Sequence, residues 1–309
     1  MYNWQPSASI NNLKKRAHVL QSVREFFAQR QVLEVDTPLF YASTVTDPVQ
    51  VAFQLGDRFL QTSPEYAMKR LLAAGSPDIY QICKAFRGDE MGRIHIPEFT
   101  MLEWYRIGFD LQDLMDETAD LLQVILKCER PDLISYRQLF LNILQVDPLT
   151  ASLPELKEIA SAHQIQLSAG FDTADKNLWL DILMSYVIEP QVGQAKPIFI
   201  YDYPSSQAAL AKINPDGLTS GRFEVYYQGM ELANGYHELL DADELERRFN
   251  ADNVLRKTRQ LPERPIDHRL IAAQRHGIPE CAGVALGLDR LMMLALQAKH
   301  IKEVVAFAE

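Results

Sequence analysis

The stretch YQICKAFRGDEMGRIHIPEFTMLEWYRIG, residues 80–108, decides the fold. Its ends are rich in β-branched and aromatic residues and its middle is polar, the pattern of two antiparallel strands joined by a long loop. In the second strand Phe99, Met101, Glu103, Tyr105 and Ile107 share one face by the period-two rule. A carboxylate and a phenol therefore interrupt an apolar face, and a buried carboxylate is costly unless it is paired. Either Lys84 or Arg87 pairs with Glu103 inside the protein, or this face lines a pocket for a cationic amine, with Tyr105 beside it. Arg87 opens the loop, which also carries Arg93 and His95. Two guanidinium forks and an imidazole in one loop suit a polyphosphate.

Two further stretches repeat this mixture of strand and charge. SGRFEVYYQGMELANGYHEL, residues 220–239, reads as a second hairpin with Gln228-Gly229 at its turn. Tyr226 then faces Glu231, and Glu224 lies one diagonal step away on the same face, about 7–8 Å distant. Two such carboxylates are either exposed strand residues or a site for a hard cation such as Mg²⁺ on nucleotide phosphates. Asn234, Tyr236 and Glu238 share a face, which Glu231 joins only if the strand bulges; Gly235 is the expected place. GVALGLDRLMML, residues 283–294, is a small-residue strand running into a helix. Arg290 in its first turn needs a large anion or the adjacent Asp289 to balance it.

The remaining elements fall around these three. Leu13, Ala17, Leu20 and Phe27 make the apolar stripe of a first helix. Lys14, Lys15, Arg16 and Arg24 lie largely off it, on a solvated face or a docking surface. QVLEVDTPLF, residues 31–40, is a short strand closed by Pro38. Residues 111–128 are helical, with Leu114, Leu121, Leu122 and Ile125 inward. Residues 131–190 hold two or three helices, and KPIFIYDYP is a buried strand ended by Pro204. Asp241 caps a charged helix, and a further short helix stops at Gly277. Antiparallel strands interspersed with helices make the fold class α+β.

Composition narrows the function classes. The chain has 309 residues, 31 basic against 41 acidic, a net charge of −10, and 47% apolar residues. That is ordinary globular composition and a poor generic binder of nucleic acid, whose affinity rests on Lys and Arg. No apolar run is long enough to span a bilayer, and the N-terminus lacks a signal-peptide core. Cys83, Cys128 and Cys281 are far apart, which points to a reducing cytoplasm. The P-loop, dinucleotide, serine-hydrolase and zinc-protease signatures are all missing from the sequence.

Taken in order, the segments EVDTP with Pro38, FRGDE…HIPEFTMLEWY with Arg87, and GVALGLDRL with Arg290 resemble the three motifs of class II aminoacyl-tRNA synthetases, closest to the lysyl enzymes. RFEVYYQGMELANGYHEL resembles the lysyl stretch that supplies Mg²⁺ and substrate carboxylates. The resemblance implies one catalytic domain over residues 1–309, built on an antiparallel sheet flanked by helices. It implies ATP and Mg as cofactors, and catalysis by Arg87 on the α-phosphate and Arg290 on the distal phosphates. Asp89, His95, Phe99, Glu231, Leu232 and Gly287 would contact ATP with these arginines, and Glu224 and Glu231 would bind Mg²⁺. Ser63 and Glu65 of the TSPEY segment, with Glu103, Tyr105, Asn234, Glu238 and Ala285, would form the amino-acid pocket.

The lysyl enzymes carry an N-terminal anticodon-reading β-barrel, for which the first helix leaves no room here. The chain therefore resembles a paralogous branch that transfers (R)-β-lysine or lysine to a lysine of elongation factor P. This implies no anticodon recognition, no membrane, and a homodimer formed through the Pro38 region. Lysylation of tRNA or of a small acceptor, and a non-catalytic amino-acid-binding regulator, are the other readings. Three departures stand out: Arg87-Gly88-Asp89 where Arg-x-Glu is usual, Ile96 where Asn is common, and Ala285 where lysyl-tRNA synthetases have Gly. One methyl group in a pocket shifts discrimination by about 1–3 kcal/mol.

Overall fold

A computed structural model describes residues 4–88, 91–167 and 174–308. Helix α1 (Ile10–Gln29) leads into the short strand β1 (Leu33–Glu34). Strands β2 (Phe40–Tyr41), β3 (Gln54–Leu55) and β4 (Arg58–Leu60) form a small sheet of order β2-β4-β3. Helix α2 (Glu65–Ala73) precedes the long pair β5 (Ile79–Phe86) and β6 (Glu98–Ile107), and α3 (Leu111–Leu126) follows. Then come β7 (Asp132–Ser135), α4 (Tyr136–Leu144), α5 (Leu153–Ala162), α6 (Lys176–Leu183) and β8 (Ile198–Pro204). The chain continues through β9 (Thr219–Tyr227), β10 (Met230–His237), α7 (Ala242–Thr258), α8 (His268–Gly277), β11 (Cys281–Gly287) and α9 (Leu288–Leu296).

The large sheet has eight strands in the order β1-β5-β6-β11-β10-β9-β8-β7. Its six central strands are antiparallel, as expected, and the fold is α+β. Its edge strands β1 and β7 pair in parallel. β7 lies inside a region read from sequence as helical. Four residues carry little periodic signal, and β7 takes its strand state from pairing with β8, Asp132 opposite Ile198. Helices α1, α3 and α9 pack on one face, around Phe27, Trp104, Leu121 and Met292. Helices α4 to α6 pack through Tyr136, Phe140 and Trp179 against β8 and β9.

Three local expectations change. The buried stripe of α1 is Val23, Phe26 and Phe27, while Ala17 is exposed. Only the C-terminal half of the helix meets the core, and Arg16 turns inward instead of lying on a solvated face. The hairpin turn does fall at Gln228-Gly229, both with positive φ (50° and 70°), the two-residue geometry that matches strand twist. The bulge in β10 lies between Glu231 and Ala233, not at Gly235. Glu231 still faces Tyr226, but beyond the bulge Asn234 faces Glu224. Gly235 serves a different need, since a Cβ there would run into the ring of Phe223.

Candidate active site

A cavity of about 160 Å³ opens on the sheet where β6, β10 and β11 run side by side. Leu232, Ala285, Gly287 and the buried Ile96 lie in its wall. One end collects Ser63, Glu65, Glu103, Tyr105, Asn234 and Glu238. The other collects Arg87, His95, Phe99, Glu231 and Arg290. Residues named from scattered parts of the sequence thus meet in one place. Asp89 lies outside the described residues, and Glu224 stands behind the wall instead of lining it.

The first end is a nest of buried acids. Glu103 is only 2% exposed. It accepts hydrogen bonds from the Ser63 hydroxyl (2.7 Å) and the Tyr105 phenol (2.6 Å). Neither cation expected to pair with it does so: Lys84 reaches out to Glu98 (3.3 Å), and the Arg87 guanidinium lies over the Phe99 ring at 5.3 Å. The internal cation is Lys69 of α2, which sequence reading missed. Its Nζ lies 2.7 Å from Glu65 and 2.5 Å from Glu238. A lysine four residues after a glutamate usually marks a surface helix pair, so the signal was present but ambiguous.

Three carboxylates here face one ammonium. Burial, followed by the charge of Glu65, pushes the Glu103 pKa up to about 7. Burial raises that of Glu238 to about 8 against the opposing pull of Lys69. Burial works to lower the Lys69 pKa, but Glu238 and Glu65 outweigh it and keep the ammonium charged. The Asn234 Oδ1 atom is buried without a hydrogen-bond partner. Gly283 makes the nest possible, because a Cβ there would strike the Tyr105 ring and the Glu238 carboxylate. Such a pocket can hold a ligand bearing ammonium groups.

The second end is built for anions. Arg290 Nη1 donates to the Glu231 carbonyl (2.8 Å) and lies 3.8 Å from its carboxylate. Asp289 does not balance Arg290. It is held instead by Arg16 (2.5 Å) and by the Thr100 amide (2.7 Å). Two arginines with an aromatic ring beside them fit a nucleotide's phosphates and base.

The two carboxylates of the expected metal pair are held differently. Glu224 is engaged on both oxygens, by Arg222, by Asn234 Nδ2 (3.2 Å), and by the phenols of Tyr203 (2.7 Å) and Tyr226 (2.6 Å). Glu231 does open on the cavity, and burial and the nearby Glu224 raise its pKa. Among the described residues, no group of three or more His, Cys, Asp or Glu side chains is arranged to hold a metal.

A family model for tRNA synthetases of class II (D, K and N) matches residues 3–309. The chain belongs to the class II tRNA synthetases. An elongation factor P–(R)-β-lysine ligase from Edwardsiella ictaluri (strain 93-146) is 50% identical over 320 residues, spanning all of this chain and 98% of that protein. A class II synthetase activates an amino acid with ATP, and this chain is a ligase of that kind. Its cavity has two unlike ends, one lined by Arg87 and Arg290 and the other by Glu65, Glu103 and Glu238. No helix among the described residues is long and apolar enough to cross a membrane.

Proposed function

We propose that this class II synthetase activates (R)-β-lysine, or lysine, as an aminoacyl-adenylate and transfers it to the ε-amine of a lysine on elongation factor P. The observation that carries the reading is the acid nest of Glu65, Glu103 and Glu238 at the end of the cavity away from Arg87 and Arg290. With all three acids ionised, they leave two negative charges against the one lysine, which a substrate with two ammonium groups matches. The relative's name specifies that amino acid and that acceptor for the relative.

In the first step the substrate carboxylate attacks the α-phosphorus of ATP and pyrophosphate leaves. Arg87 holds the α-phosphate and the carboxylate together, and Arg290 binds the distal phosphates, with His95, Phe99, Leu232 and Gly287 seating the nucleotide. Catalysis is alignment and charge neutralisation. Mg²⁺ supplies further neutralisation on the phosphates. Glu231 would hold it, with Glu224 joining by exchanging one of its present partners. In the second step the acceptor ammonium sheds a proton, its nitrogen attacks the adenylate carbonyl, and the carbon–oxygen bond breaks with its electron pair leaving on AMP. A second proton leaves the nitrogen as the amide forms.

We place this ligase in the cytoplasm as one catalytic domain that pairs with a second copy through the region around Pro38. The test is pyrophosphate exchange with α-lysine and both β-lysine enantiomers, followed by transfer to elongation factor P or to tRNA. Exchange with a lysine and labelling of elongation factor P alone are expected, and labelling of tRNA alone overturns the reading. Arg290→Ala should cut exchange by about 10²–10³-fold, as loss of one transition-state donor does.

A further inference from the structure

A second and larger cavity, of about 580 Å³, adjoins the first. Its size is that of a ligand site, about 300–1,000 Å³. It runs between the segment 45–50, the segment 205–217 and the helix α7. Where it meets the first cavity the two share Val45, Gln50, Glu65, Asn234 and Tyr236. None of the phosphate-end residues Arg87, His95, Phe99 and Arg290 lines it, and neither do the deep amine-end residues Glu103, Tyr105 and Glu238. It therefore joins the active site on the amine side, at Glu65 and Asn234, short of the deeper acids. The carbonyl of an adenylate must lie between that side and the phosphate end, so an amine entering here has it next in its path.

We propose that this second cavity is the passage by which a lysine side chain, projecting from a loop of the acceptor protein, reaches the adenylate. The proposal rests on the functional reading above and adds its route. The walls suit that occupant. Asp47 and Asp252 stand along the passage with Glu65 at its inner end, so an incoming ammonium meets carboxylates. The arginines of the wall are each engaged by a carboxylate. Arg247 and Arg248 bind Glu244, and Arg222 binds Glu224. Arg248 also donates to the carbonyls of Ala209 (2.7 Å) and Ala211 (2.9 Å), which ties α7 to the opposite wall and holds the passage open. The outer end is marked by the exposed Ser206, Arg247 and Ala251.

The route separates two steps that share one active site. Ala251→Trp places a large ring across the outer end from a helix surface position, away from the ATP and amino-acid contacts. Its pyrophosphate exchange, and capture of its adenylate by the small nucleophile hydroxylamine, should stay within about twofold of the unaltered protein. Its single-turnover transfer to elongation factor P should fall at least tenfold. Asp47→Lys reverses a wall charge without filling space and should slow transfer in the same selective way. Unchanged transfer in both variants overturns the passage, as does a loss of exchange equal to the loss of transfer. Absence of exchange in the unaltered protein overturns the functional reading itself, a distinct result.

Discussion

Lys69 shows how one side chain sets the character of a pocket. With it, Glu65 and Glu238 face a permanent ammonium at 2.7 and 2.5 Å. Without it, three neighbouring carboxylates would lie buried with no counter-charge, and such groups take up protons instead. The groups facing Lys69 and its acids are Glu65 on α2, Glu103 and Tyr105 on β6, Tyr236 on β10, Glu238 just beyond it, and Cys281 on β11. The two tyrosines and the cysteine are held above their ordinary pKa values, so Glu103 and Glu238 are the groups that titrate near neutrality. An ammonium substrate binds their ionised forms. Its KM should therefore rise as pH falls from 8 to 6, through the pKa values of about 8 for Glu238 and about 7 for Glu103. Lys69→Met raises those pKa values further and should move the rise at least one pH unit upward, while leaving the KM for ATP within about twofold. An equal rise of both KM values at every pH would mean that Lys69 serves the fold alone.

At the scale of elements, strands carry the acids and glycines set how close they come. β6 and β11 run antiparallel with Gly283 opposite Tyr105. Gly283→Ala drives a methyl into Tyr105 and Glu238. Overpacking of this kind costs about 1–3 kcal/mol, and here the strain falls on the acid nest. The expected outcome is a tenfold or greater rise in the KM for the amino acid with little change for ATP, read by pyrophosphate exchange. A second joint ties α1 to β6 and α9. Arg16 donates to Asp289 (2.5 Å), Thr100 (2.8 Å) and the Val304 carbonyl (3.0 Å). Asp289 is 1% exposed. Arg16→Met strands that carboxylate, and breaking such a pair costs about 3–5 kcal/mol, measurable by urea unfolding. These two joints also mark the limit of what the sequence revealed. The strands of residues 80–108 and 220–239 were legible because their alternation is strict and their turn residues are specific. Arg16 and Lys69 were not, because a basic residue on an amphipathic helix looks the same in sequence whether it faces water or a buried acid brought in from another element. The bulge in β10 was anticipated but misplaced, since glycine is one cause of a bulge and here answers the ring of Phe223 instead.

The whole molecule closes its sheet unevenly. Its edge strand β1 is two residues long and exposes Leu33, and the chain that follows exposes Leu39, Phe40, Val49, Val51, Phe53 and Leu55. Single exposed apolar residues are ordinary, but seven within residues 33–55 suit a surface that a second copy would cover. The same segment includes Pro38, and its Val45 and Gln50 line both cavities. Pairing of two copies here would therefore brace the wall between the substrate site and the proposed passage. Phe40→Glu puts a charge into the β2–β4 pair, where Phe40 faces Leu60 across the strands and packs near Arg58. Sedimentation should show the unaltered protein at twice the mass of one chain and the variant shifted toward a single chain. Pyrophosphate exchange should fall with that shift and recover at high protein concentration, because mass action restores the pair. A variant that sediments as one chain yet exchanges at the full rate at every concentration would show that the active site stands without its neighbour.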